Sequence, residues 1–267
     1  MTASVSRLAR RAWTPILIAP LVVFIVVGIL WQGGAFHALF GLKPFTVPLP
    51  STIVDGLPRN GPQVFSAAGV TLVAALIGYA TGMVVGFAVG SLLVRYLPDL
   101  TSRLLPVLTA TNSLPIVALA PLVALFTGPG VLLKVIVVTV MTAPIMTVYT
   151  VRGLREVDPT VLEMMASFEA TPGQVYRVAQ VRTALPFVFT ALKSSVVLAL
   201  IGTIVSEAVR GFEGLGYVIV DSMGSFKVAV AWLALIVIAV LGIAWYVAVA
   251  VVERIALPWE AQHRHRE

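Results

Sequence analysis

Within one long apolar run of this sequence stand two ionisable residues, Lys193 and Glu207, accompanied by Ser194 and Ser195. A second polar knot, Thr109, Thr111, Asn112 and Ser113, interrupts an earlier apolar run. Hydroxyl and amide groups in such places either hydrogen-bond between packed segments or line a route for a polar solute, because burying them unpaired is unfavourable. Glu207, near the end of its run, either lines a gate or pairs with Arg210 about one helical turn on. Lys193 lies near the start of the same run, where its stem can snorkel toward water. The ingredients of catalysis are missing. There is no cysteine, so disulfides, thiolate metal sites and a cysteine nucleophile are all excluded. His263 and His265 read as solvated basic residues, and His37 stands alone. No HExxH, GxSxG or GxxxxGK[ST] pattern occurs, so neither metal chemistry, acyl transfer nor a phosphate loop is expected. We expect no catalytic residue, no metal and no cofactor in this chain.

The segments that must position these groups belong to a membrane. Of the 267 residues, 59% are apolar and 11% charged, against roughly 25% charged in soluble domains. A helix needs about 20 apolar residues to cross a bilayer, which predicts about six spans: Trp13 to Trp31, Val64 to Val94, Leu104 to Phe126, Val131 to Thr150, Leu185 to Val205 and Val228 to Val252. Arg7, Arg10 and Arg11 precede the first as in a signal peptide, but its run is long and lacks a small-residue cleavage site, so we expect a retained anchor. The net charge of +6 is spread over tails and short loops, which points to membrane orientation and away from nucleic acid. With both termini cytoplasmic, the inner side holds Arg95, Arg103, Arg152, Arg155, Arg177, Arg182 and Arg254 besides the tails. The outer side or its boundary holds only Lys43, Arg59, Lys134, Arg210 and Lys227. That asymmetry favours this orientation. The expected organisation is a cytoplasmic tail over 1–12, a transmembrane domain over 13–258 and a basic tail over 259–267. In the outer stretch from Gln32 to Gln63, Ser51 is expected to cap a short helix running to Gly56 that Pro58 stops.

Two patterns refine this. Gly78, Gly82, Gly86 and Gly90 recur every fourth residue, which places them on one helix face and predicts close approach of another helix. Between Arg152 and Pro186 the apolar character lapses into helical, amphipathic patterning. Asp158 before Pro159 marks one helix start, running through Val161, Leu162, Met165 and Phe168; Thr171, Pro172 and Gly173 mark another. Two short amphipathic helices at the inner surface could lie on lipid or bind a partner.

The segment EMMASFEATPGQVYRVAQVRTALP, Glu163 to Pro186, resembles the EAA loop of binding-protein-dependent ABC importer permeases. LLPVLTATNSLPIVALAPLVALFTGPG and VRGLREVDPTVLE upstream resemble the nitrate, sulfonate, taurine and pyrimidine-precursor branch, as do VPLPSTIVDGL and, downstream, the Gly-Leu-Gly-Tyr element at Gly214 to Tyr217. The resemblance covers most of the chain from Val47 onward. It implies an all-α membrane protein of the type I ABC importer permease fold, sited in a bacterial inner membrane. It also implies a cytoplasmic coupling loop over 153–184 that docks on an ATPase through Glu163, Met164, Met165, Phe168, Glu169, Ala170, Thr171, Gly173, Gln174 and Arg177. Its implied partners are two ATPase subunits that bind ATP and Mg, a second permease copy and an external solute-binding protein. The run TALKSSVVLALIGTIVSE looks closest to permeases for heteroaromatic vitamin precursors such as hydroxymethylpyrimidine or riboflavin, with sulfonate, taurine or nitrate as the other candidates. Two departures stand out: Met164 and Met165 replace the usual Ala-Ala, and Glu169 replaces a turn glycine. An ion-coupled secondary transporter is the alternative; it requires deep coupling carboxylates, and Glu207 near an edge fits that poorly.

Overall fold

The computed structural model describes residues 22–110 and 116–258. Among these residues the regular secondary structure is all helical, with no strand. In chain order the helices are α1 (Val22–Gln32), α2 (Ala35–Phe40), α3 (Pro50–Asp55), α4 (Leu57–Tyr96), α5 (Pro98–Ala110), α6 (Ile116–Thr127), α7 (Val131–Arg155), α8 (Pro159–Ser167), α9 (Pro172–Gln174), α10 (Val181–Arg210), α11 (Leu215–Gly224) and α12 (Val228–Ala256). A six-residue π-helical stretch, Val175–Gln180, joins α9 to α10.

Among the described residues, four helices are long and apolar enough to cross a bilayer: α4, α7, the continuous run Pro172–Val209, and α12. The shorter apolar helices include α1 and the part of α6 from Ala118 to Thr127. The expected third span, Leu104 to Phe126, is distributed over α5 and α6; the residues between, including Thr111, Asn112 and Ser113, lie outside the described residues. Most of the expected first span, the termini and His263 and His265 also lie outside them. α4 has 40 residues, about 60 Å at 1.5 Å per residue, so it exceeds one bilayer crossing as its sequence predicts.

The glycine stripe of α4 is where α7 packs. A Cβ on Gly78 would come 2.7 Å from Val138 Cβ, and one on Gly90 2.8 Å from Thr150 Cβ. One on Gly82 would strike Thr142 Oγ1, and one on Gly86 the Ala143 carbonyl oxygen. α7 therefore answers with its own four-residue spacing, Val138, Thr142, Met146 and Thr150. Contact is close enough for Thr139 and Thr147 hydroxyls to donate to the Gly78 and Gly86 carbonyls, each at 3.2 Å. Such packing is the usual source of helix association where lipid is as apolar as a side chain. Around the seam Tyr79, Met83, Met146, Val196, Leu200 and Trp245 form the central core shared by α4, α7, α10 and α12.

The Gln32 to Gln63 stretch differs from expectation. α3 begins at Pro50, with Leu49 at its N-cap and no side-chain cap. Ser51 instead ties back to α1: its backbone N–H donates to Gln32 Oε1 and its Oγ accepts from Gln32 Nε2, both at 3.0 Å. Pro58 lies in the first turn of α4 and so starts a helix, since a first-turn proline loses no intrahelical hydrogen bond.

Candidate functional site

The polar loop between α7 and α10 is built by local signals. Asp158 caps α8, its carboxylate accepting from Thr160 N–H at 2.8 Å. The helix ends in a paired return: Ala170 N–H donates to the Met165 carbonyl at 3.0 Å and Glu169 N–H to the Ala166 carbonyl at 2.9 Å. This six-to-one and five-to-two pattern is a Schellman motif, which needs a left-handed residue just past the cap. Glu169 is that residue, with φ of 53°. The sequence expectation that this turn favours glycine has its cause here. Thr171 then starts the second helix through a capping box: Gln174 N–H donates to Thr171 Oγ1 at 3.4 Å, and Thr171 N–H to Gln174 Oε1 at 2.7 Å.

That second helix is not separate from the following span, as two short helices would require. It passes through the π-helical stretch into α10 as one run of 38 residues. Pro186 does not break it. At this loop-bearing end of the bundle, the Arg95 guanidinium lies 5.8 Å from the centre of the Tyr176 ring, and Arg155 Nη2 donates to the Pro98 carbonyl at 2.8 Å. Glu163, Met164, Phe168, Glu169, Thr171, Gln174 and Arg177 are exposed, Met165, Ala170 and Gly173 half-buried. Phe168 is 79% exposed, a large apolar ring offered outward beside Met164.

At the other end of the bundle Glu207 is completely buried, and its carboxylate is held from three helices. Lys134 Nζ of α7 lies 3.0 Å from Oε1 and is itself 1% exposed as a residue. The Thr71 hydroxyl of α4 sits 2.9 Å from Oε2 and 3.0 Å from Oε1, donating to the carboxylate while accepting from Leu215 N–H at 2.8 Å. Gly216 N–H of α11 donates to Oε2 at 3.0 Å. The half-exposed Glu213 carboxylate is 3.8 Å from the same ammonium. The described ion-pair partner of Glu207 is thus Lys134, because the carboxylate turns into the core between α4 and α7; the side chain of Arg210, the partner expected from sequence, lies outside what is described. The Gly-Leu-Gly-Tyr element acquires a physical reason as well: a Cβ on Gly214 would overlap the Glu207 carboxylate, and one on Gly216 would lie 2.9 Å from Glu207 Cβ.

Sequence reasoning missed Lys134, Thr71 and Gly216 as members of this cluster. Two signals were present: Lys134 opens an apolar run with a charge, and Thr71 lies on the α4 face that continues into the glycine stripe. Lys193 likewise does not snorkel free. Its ammonium is 2.7 Å from Glu253 Oε2 and 2.8 Å from Oε1, bridging α10 to the last turn of α12.

The remaining polar candidates separate. Thr109 and Ser194 are exposed, each hydroxyl donating to its own helix, to Leu105 and Thr190 carbonyls at 2.8 and 2.9 Å. Ser195 is fully buried, with no protein partner for its hydroxyl among the described residues. Along α10, Thr190, Ser194, Val197 and Ile201 form one exposed stripe, and Glu207 stands off it.

A bundle of apolar helices long enough to cross a bilayer, with a capped polar loop leading into one of them, is the architecture of a membrane transport subunit. The model of the family described as binding-protein-dependent transport system inner membrane component matches residues 82–256, and the chain belongs to that family. It is an ABC importer permease for a small solute and not an enzyme. It is 31% identical over 259 residues to the riboflavin transport system permease protein RibX of Chloroflexus aurantiacus, covering 96% of this chain and 95% of that one. It is 30% identical over 241 residues to the formylaminopyrimidine transport permease protein ThiX of Halalkalibacterium halodurans, covering 90% and 95%. The putative aliphatic sulfonates transport permease protein SsuC of Escherichia coli is 26% identical over 58% of this chain and 59% of its own length. In fold, the chain is similar to the inward-facing MetNI methionine ABC transporter, with a TM-score of 0.60, 21% identity and coverage of 69% of this chain and 92% of that one. An amino acid ABC transporter with histidines gives a TM-score of 0.61 at 18% identity, covering 74% and 96%.

Proposed function

We propose that this permease imports a heteroaromatic vitamin precursor of the riboflavin or pyrimidine type, handed to it by an external binding protein. The observation that carries the reading is near-full-length similarity to the riboflavin and formylaminopyrimidine permeases, against a partial match to the sulfonate one. The exposed stripe of α10 fits such cargo: Val197 and Ile201 offer apolar contact, Thr190 and Ser194 hydroxyl groups. Thr109, Ser194 and the undescribed Thr111, Asn112 and Ser113 are the pathway candidates we retain. Ser195 and Glu207 face inward and act in packing. Two copies of the chain form the pathway, with their termini and the 153–184 loop in the cytoplasm, and two ATPase subunits bind ATP and Mg. Glu163 to Arg177 meet the ATPases, and binding that differs between two global states drives alternating access.

Calorimetry of the cognate binding protein against riboflavin, hydroxymethylpyrimidine, taurine and nitrate tests the cargo. Binding of one of the first two is expected; binding confined to taurine or nitrate overturns the reading. Uptake into vesicles holding the assembled complex should require ATP and proceed without an ion gradient. Uptake driven by an ion gradient alone would establish the secondary-transporter alternative instead.

A further inference from the structure

The Glu207 cluster joins parts of the chain that are far apart in sequence. Thr71 belongs to α4, Lys134 to α7, Glu207 to α10, and Leu215 and Gly216 to the first turn of α11. Between α10 and α11 the chain turns through 211–214, with glycine at both ends and Gly214 at φ of 97°. A turn of that composition is a natural hinge. Yet both N–H groups of the first two residues of α11 are taken by the cluster: Leu215 by Thr71 and Gly216 by Glu207. A buried ion pair is a poor source of net stability, since desolvating both charges offsets their attraction. Its presence here calls for another benefit, and the geometry supplies one.

We propose that the Lys134–Glu207 pair is a clamp that locks α11 to the outer ends of α4, α7 and α10, so that movement imposed on the coupling loop reaches the outer mouth. The unbroken run Pro172–Val209 begins in that loop and ends two residues past Glu207. It is a lever about 57 Å long at 1.5 Å per residue. With the clamp closed, tilting the lever carries α11 along; with the clamp gone, the glycine turn absorbs the motion. The transmission half of this proposal rests on the transporter reading, whereas the clamp itself does not.

The natural absence of cysteine makes the test direct. Ser222 of α11 is 3% exposed, and cysteine is nearly isosteric with it. In the full chain in lipid nanodiscs, Ser222→Cys should react slowly with a membrane-impermeant maleimide. Adding Lys134→Met and Glu207→Gln together leaves no unpaired buried charge. It should keep the melting temperature close to that of the Ser222→Cys background while labelling rises about tenfold, as local opening of one element predicts. Thr71→Val, which keeps both charges and removes only the hydroxyl, should raise it severalfold. An unchanged rate in either background overturns the clamp. In the complex assembled with its ATPase subunits, a cysteine at Phe212 should change its labelling rate when ATP and vanadate are added. The double variant should lose that response while hydrolysing ATP within about twofold of the parent, a separation that fits uncoupled motion. A response equal to the parent's overturns transmission, and the nanodisc result stands or falls without it.

Discussion

Glu169 shows how much one residue can be asked to do. The Schellman return that ends α8 fixes its φ at 53°, a conformation that disfavours a side-chain-bearing residue by about 1 kcal/mol or more. Part of this is offset, because glycine there would lose more backbone freedom on folding, roughly 0.5–1 kcal/mol. Glu169→Gly should therefore stabilise the loop by less than about 1 kcal/mol, and its effect on assembly is the informative quantity. Since the side chain is exposed and a charge at a docking turn is available to basic groups on a partner, we expect Glu169→Gly to weaken recovery of the ATPase complex. A glycine variant that assembles and couples as well as the parent would show that the residue only strains the turn. Glu163→Arg, on the exposed side of α8, should insert normally but co-purify with less ATPase, because charge reversal leaves repulsion or an unpaired group. Normal recovery and normal hydrolysis would remove Glu163 from the interface.

The elements are held by two different devices. α4 and α7 meet through missing side chains, so the seam should be intolerant of added volume. Gly86→Val would press its Cβ against the Ala143 carbonyl oxygen and Met146 before its two methyl groups are placed, and overpacking of this kind costs about 1–3 kcal/mol. Gly69 faces open space on the same helix, and Gly69→Val should cost nothing there, since valine has the higher helix propensity by a few tenths of a kcal/mol. Thermal unfolding in detergent, read by the two variants side by side, checks this; equal losses would contradict the seam. α10 is held differently, by ion pairs at two levels: Lys193 with Glu253 toward the loop end, and Glu207 with Lys134 toward the other.

For the molecule as a whole, the arrangement of charge predicts which end is cytoplasmic. Arg95, Arg152, Arg155 and Arg177 gather at the end that carries the loop, and positively charged flanks remain inside. Single cysteines should report this in intact cells. One at exposed Glu213 or Gln63 should react with an impermeant reagent from outside, and one at Gly173, whose Cβ meets nothing within 4 Å, should be protected. Labelling of Gly173→Cys from outside would reverse the orientation. Gly214 would be a poor probe, since a side chain there overlaps Glu207.

What the sequence determined by itself was whatever depends on neighbours along the chain. Apolar run lengths placed α4, α7 and α12; Asp158-Pro159 and Thr171-Pro172 located the loop helices; the four-residue glycine period identified a packing face. Caps and periodicities act over one or two turns, so their signals are local. The partner of each buried charge was decided only by tertiary structure. Glu207 and Arg210 are one turn apart in sequence, yet the carboxylate meets Lys134, 73 positions earlier, and Thr71, 136 positions earlier. Lys193 meets Glu253, 60 positions later. Nothing in a single apolar run states which other run it will face. That choice follows from how helix surfaces fit, and a buried charge takes whatever opposite charge the packing brings within reach.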